Sequence, residues 1–319
     1  MASSIKSAWQ ILKQTFTDFS ELKIMRMSAA LAYYTIFSIA PMLIVIITIC
    51  DVFFGRAAIE GNIYGQIKSF VGSDAALEIQ QLIKNATISK DITWASVIGI
   101  IALVFAATSV FAEIQDSINH IWRLKAKPRK GWLKLLLNRL LSFSMVVTLG
   151  FILLVSLVIN AVMDALVGRL VEIFPQLAIY AAYGINLLLT FLTTSFLFGI
   201  IFKMLPDAKI SWKDVRMGAF TTAILFMLGK FVISFYLGKT QITSSYGAAG
   251  SLVIILLWVY YSSIILYFGA AFTRVYAQHT GSHIYPNGYA VWVQQVEVEN
   301  KSSLQGQPVE AKEVIQSTK

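Results

Sequence analysis

Six apolar stretches, at residues 28–50, 94–112, 140–163, 177–202, 217–237 and 250–273, decide what this chain can fold into. A bilayer core takes about 20 helical residues to cross, and each stretch is long enough. Five of them carry no formal charge, and the fifth in order carries only Lys230. In lipid the backbone must satisfy its own polar groups, which helices do segment by segment. An outer-membrane barrel would instead show alternating segments of ~10 residues, and no such alternation occurs. Composition agrees: 57% of residues are hydrophobic and 13% charged, against ~45–50% and ~25% in soluble domains. So little charge cannot cover a soluble surface around that much hydrocarbon. The expected fold is all-α: a polytopic membrane protein with six transmembrane helices.

The basic residues orient it. With the N-terminus assigned to the cytoplasm, 19 of the 26 Lys+Arg fall on inside segments and 6 on outside ones, Lys230 being the remaining one. That bias follows the positive-inside rule and places both termini in the cytoplasm. The densest group is the loop Arg123–Arg139, which is expected to meet anionic lipid headgroups. The net charge of +9 is thereby accounted for without nucleic acid.

Residues 1–27 carry Lys6 and Lys13 off a face formed by Ile5, Trp9, Leu12, Phe16 and Phe19, spaced as on one side of a helix. This segment reads as a cytoplasmic interfacial helix; packing of the same face on the bundle is the alternative. The membrane domain is expected over 28–278. Its outer loop, 51–93, has helical spacing in Ile59, Ile63, Ile67 and Phe70 and again in Leu77, Leu82 and Ile83, which predicts two short helices over the outer face. The tail, 279–319, turns polar, includes the Pro286-Asn287-Gly288 turn signal, and is expected to be disordered from about residue 299.

Catalytic signatures are missing: no H-E-x-x-H, nucleophile elbow, P-loop or G-x-G-x-x-G occurs. The single cysteine, Cys50, rules out an intramolecular disulfide and a cysteine metal cluster. Nothing calls for a cofactor. Glu113, Asp116 and His120 share a helical face and form a weak metal candidate; pairing of the two carboxylates with Arg123 and Lys125 is the plainer reading. Polar residues inside the spans say more. Lys230 lies deep enough that it must snorkel, pair or face a wet cavity, and Asp51 at the outer end of the first span is its nearest candidate counter-charge. Ser234 extends that face. Asn186, Thr190, Thr193 and Thr194 line one side of the fourth span, Tyr260, Ser263 and Tyr267 one side of the sixth, and Tyr34 and Ser38 one side of the first. Such groups turn inward, where they either bond helices together or line a path. Pro41 predicts a kink or local opening, and Gly247 and Gly250 permit close helix approach. The pattern suits a polar path between spans 1, 4, 5 and 6, or a bundle simply held by hydrogen bonds, and it leaves room for a homo-oligomer.

Several segments carry a resemblance. Ala32-Tyr33-Tyr34-Thr35-Ile36-Phe37-Ser38-Ile39-Ala40-Pro41, the run Glu113 to Trp122, Leu205-Pro206-Asp207, and Tyr246-Gly247 through Leu257-Trp258-Val259-Tyr260 to Gly269-Ala270 resemble the YihY/virulence factor BrkB family, in order, over about residues 20–278. The family's usual glutamate after Gly-Ala is replaced here by Ala271. The resemblance implies a six-span inner-membrane protein engaged in transport, with lipids among the cargoes, or a non-transporting scaffold in cell-envelope maintenance or serum resistance. The family's former label, ribonuclease BN, fails on chemistry, because three scattered histidines cannot supply a clustered metal site.

Overall fold

The computed structural model describes residues 2–54, 94–127, 140, 144, 147–148, 175–239, 250–281 and 284–293. Six helices lie in this part: α1 (Ala2–Glu21), α2 (Ile24–Phe54), α3 (Trp94–Ile121), α4 (Pro175–Met204), α5 (Trp212–Lys239) and α6 (Gly250–His279). Four segments are long and apolar enough to cross a membrane: Ile101–Ile121, Leu187–Met204, Trp212–Ile233 and Leu252–His279. α2 is a helix of 31 residues that contains the apolar stretch 28–50. The all-α, polytopic membrane architecture therefore stands. Most of the expected third span, the outer loop 51–93 beyond Phe54, Gly247 and the tail beyond Val293 lie outside the described residues.

The helices overrun the apolar stretches at one end, where α3, α4 and α6 finish and α2 and α5 begin. This end carries Arg26, Arg123, Lys125, Lys203, Lys209, Lys213, Arg216 and Arg274 and is called the basic end below. Local chemistry sets its boundaries. Ser211 accepts from the Lys213 amide at 3.2 Å, and Asp214 stands in the first turn of α5, so a hydroxyl cap and a carboxylate meet the free amides and positive dipole end. Gly281 closes α6 in the left-handed region at φ 75°, as helix ends favour. After α1 and α3 that same role falls to Lys23 (φ 53°) and Arg123 (φ 57°).

Four short strands, β1 (Leu124–Ala126), β2 (Ala208–Lys209), β3 (Tyr285–Pro286) and β4 (Ala290–Trp292), complete the basic end. β4 pairs antiparallel with β1, Ala126 opposite Ala290, and β3 with β2, Ala208 opposite Pro286. Residues 284–293 thus form a strap across the loops that follow α3 and α4. The sequence pattern, read as all helix and polar tail, did not anticipate these ladders.

Packing is concentrated at the same end. The largest fully buried side chains include Trp122, Phe202, Ile118, Ile121 and Leu205, all within the last turns of α3 and α4 or just beyond, with Tyr267 deeper in α6. Further along, the helices present Phe37, Phe105, Phe196 and Phe231 outward, as expected where the surroundings are hydrocarbon. α2 runs as one helix through Pro41.

Helix α5 meets α6 through small residues. Thr222 bonds back to the Gly218 carbonyl (2.6 Å) and leans on Gly269, while Thr273 bonds back to the Gly269 carbonyl (2.7 Å) and leans on Gly218. The contact is reciprocal, and it needs glycine on both sides because a Cβ at either position would overlap the facing threonine. A Cβ at Gly229 would overlap the hydroxyl of Tyr261 and its ring carbons Cζ and Cε1, the far end of a side chain that can rotate away. Gly218→Ala and Gly269→Ala are therefore expected to cost about 1–3 kcal/mol each as overpacking, and Gly229→Ala less. Thermal unfolding of the three variants in detergent checks this ranking.

Candidate functional site

The basic end holds buried polar groups that must find partners inside the protein, since an unpaired buried charge is costly. Asp207, in the turn after α4, is almost wholly buried. Its Oδ1 accepts from Gln115 Nε2 (3.0 Å) and Tyr289 Oη (3.2 Å), and its Oδ2 from Asn119 Nδ2 (2.9 Å). Its amide donates to Asn119 Oδ1 at 2.8 Å, and its carbonyl accepts from the Asn287 amide at 3.0 Å. Gln115 and Asn119 fall one turn apart on α3, so a single helix face supplies both carboxamides. The strap supplies Tyr289, whose hydroxyl has its pKa raised by burial and by the nearby Asp207 charge and so stays a donor through the neutral range.

A second network ties α1, α3 and α6. Arg274 Nη2 meets Asp18 Oδ2 at 2.5 Å, and Nη1 donates to the Ile121 carbonyl at 2.5 Å. Both charged side chains are out of water. Next to this pair, Trp122 Nε1 donates to the Ala270 carbonyl at 2.9 Å. Ala271, where the family usually has glutamate, is fully buried in the same core.

Between α2, α3 and α4 lies a cavity of about 210 Å³. Thr35, Ser38 and Met42 border it from α2, Val110 and Ile114 from α3, Leu197 and Ile201 from α4, and Thr148 also reaches it. Its walls are almost entirely hydrocarbon.

The residues proposed for a polar path distribute as follows. Ser38 is buried and bonds Ser109 on α3 at 2.6 Å, and Ser263 is buried and bonds the Val259 carbonyl at 2.6 Å. Tyr34 is exposed, whereas Tyr267 is fully buried with its hydroxyl unpartnered. Thr190, Thr193, Thr194, Tyr260 and Lys230 are half-buried. The side chains of Asn186, Ser234, Asp51 and Gly250's surroundings lie outside the described residues. On α3, Glu113 accepts from Ser117 at 3.4 Å, while Asp116 and His120 point outward. Among the described residues no group of three His, Cys, Asp or Glu could hold a metal ion, so the Glu113, Asp116 and His120 trio does not assemble.

The family model described as virulence factor BrkB matches residues 15–288, most of the chain, from just before Asp18 to just past the β3 strand. The chain belongs to the virulence factor BrkB family. Similar BrkB-family sequences include a UPF0761 membrane protein of Mannheimia succiniciproducens, 28% identical over 273 residues, 82% of this chain and 87% of that one. Another, from Haemophilus influenzae, is 29% identical over 263 residues, 79% and 89% of the two chains. No solved structure matches.

Sequence reasoning missed Asp18, Arg274 and Asp207 as partners. Asp207 stood in a quoted motif, and the spacing of Gln115 and Asn119 could have flagged a shared face, but nothing local points Arg274 toward a residue 256 positions away. Removing one member of a buried pair strands the other charge, at about 3–5 kcal/mol. Arg274→Met is expected to lower thermal stability in detergent by that order, and the double variant Asp18→Leu/Arg274→Met to recover much of it. The raised Tyr289 pKa means its tie to Asp207 is fully present below its unfolded value of about 10 and is lost only as the pH climbs through the higher folded value. Protease protection of the strap should accordingly be flat from pH 6 to 9 and fall in stronger alkali.

Proposed function

We propose that this BrkB-family protein is a flippase-like transporter of the bacterial inner membrane for an anionic substrate, with lipids the favoured class, and that both its termini face the cytoplasm. The observation that carries the reading is the placement of Lys230. It sits 13 residues beyond Met217, or about 20 Å into the bilayer at helical rise. Its neighbours Leu228, Phe231 and Val232 are exposed, Phe231 at 78%. Lys230 instead shares the face of Phe226, Gly229 and Ile233, the side of α5 that turns toward Tyr261 of α6. A half-buried lysine this far along an apolar helix is expensive and usually functional. The exposed Arg123, Lys125 and Lys127 give the basic end a charge suited to anionic headgroups.

A second reading, a non-transporting scaffold in cell-envelope maintenance, draws on the tightly packed, strap-covered basic end. It predicts no flux at all.

Helix α1 fits the interfacial role. It buries Ile11, Thr15 and Asp18 against α6 and leaves Trp9 69%, Phe16 62% and Leu12 partly exposed. A helix that hides its carboxylate and displays its rings is inside out for water and right for a lipid boundary. Phe16 meets Phe268 edge-to-face and Phe19 meets it at a tilt, which joins this stripe to α6.

Two measurements test these proposals. In vesicles of phosphatidylethanolamine and phosphatidylglycerol carrying a fluorescent phosphatidylglycerol, Lys230→Met should abolish protein-dependent flipping and Lys230→Arg retain a part; unchanged flux removes Lys230 from the mechanism. On a Cys50→Ser background, nitroxides at Leu12 and Phe16 should collide with bilayer oxygen and one at Lys13 with an aqueous relaxer. Equal aqueous access at all three would place α1 in solvent.

A further inference from the structure

The cavity between α2, α3 and α4 differs from a polar path in one respect that hydrogen-bond accounting makes plain. Three hydroxyls border it. Thr35 donates to the Leu31 carbonyl (2.8 Å) and Thr148 to the Ser144 carbonyl (2.7 Å). Ser109 commits its proton to the Ala106 carbonyl (2.7 Å), so in the Ser38–Ser109 bond Ser38 must be the donor. Among the described residues every hydroxyl proton at the wall is spent. None of them has a donor left for a phosphate or carboxylate, and water would find too few partners there to settle.

Size and depth say what does fit. At about 210 Å³ the cavity is larger than the ~150 Å³ apolar cavity that takes up benzene. Leu197 and Ile201 lie seven and three residues before Met204, and Ile114 seven before Ile121, which puts them about 5–10 Å inside the basic end. That is the hydrocarbon of one leaflet, where the surrounding medium is itself acyl chain. Phe37, Phe105 and Phe196, on the same three helices, are exposed and meet that medium.

We propose that this cavity seats one acyl chain of a membrane phospholipid, tail between the helices and headgroup left at the basic end beside Arg123 and Lys125. For its role the proposal rests on the transport reading, since it makes hydrocarbon the handle by which an anionic lipid is held; occupancy of the cavity is tested apart from flux.

The full chain in phosphatidylethanolamine/phosphatidylglycerol nanodiscs, doped with phosphatidylglycerol bearing a diazirine within one acyl chain, is photolysed and the labelled residues are mapped. Labelling is expected on Val110–Ile114 and Leu197–Ile201. It should fall at least tenfold in Val110→Phe and, separately, in Leu197→Phe, which fill the space, while labelling around lipid-exposed Phe231 stays constant as a control for the fold. Ser38→Ala, which keeps the space, should label like the wild type, and a phosphatidylethanolamine with the same tail should label equally. Labelling of the cavity residues no stronger than on Phe231, or undiminished in both filled variants, overturns the site. Flux insensitive to Lys230→Met with the cavity labelling intact would sink the transport reading and leave the acyl-chain site standing.

Discussion

A carboxylate and a guanidinium held against each other out of water, Asp18 and Arg274, hold the rest of this structure in place. Each would be prohibitively costly alone in a greasy bundle, so neither helix that carries them can drift. The second arm of the guanidinium, on the Ile121 carbonyl, uses a helix-end group that would otherwise lack a partner. One side chain thereby fixes the relative depth of α1, α3 and α6. Whether such a pair adds net stability over hydrocarbon is a separate matter; what it supplies here is register.

Around that point the chain divides into two mechanical regimes. Near the basic end, aromatic and aliphatic side chains are fully enclosed and Asp207 is met on several sides by uncharged donors. Beside it, α5 and α6 touch through glycine and threonine, while α2, α3 and α4 keep an apolar void between them. Lipid supplies no hydrophobic force to squeeze helices together, so close contact must come from small residues and hydrogen bonds, and space can persist where those are absent. A tightly packed polar network beside an apolar void lets empty space persist without endangering the fold.

The membrane architecture was readable because it depends on sums: length, apolarity and absence of charge over twenty residues tolerate local error. The fold's all-helical character came through for that reason, with α4 at Pro175–Met204 close to the apolar stretch 177–202. Pairings were not readable. Ser38 was grouped with Tyr34 as a path-lining face, yet the two diverge, one bonded to Ser109 and the other exposed. In α1, periodicity alone could not say that Trp9, Leu12 and Phe16 would stand exposed while Ile11, Thr15 and Asp18 turned in. The strap escaped notice because two- and three-residue strands have no period to detect, and their partners lie in loops far away along the chain.

The Asp18–Arg274 pair also has a meaning in time. A growing chain exposes Asp18 almost at once, but the guanidinium that neutralises it leaves the ribosome only after every span has been made. The strap that covers Asp207 comes later still. Throughout synthesis, then, the first helix carries an orphan acid that keeps its final seat on α6 unavailable. The nascent bundle stays open at that end until its last helix is delivered. Closure of that end waits for residues 274–293, so a product that stops short of them carries its own mark of incompleteness.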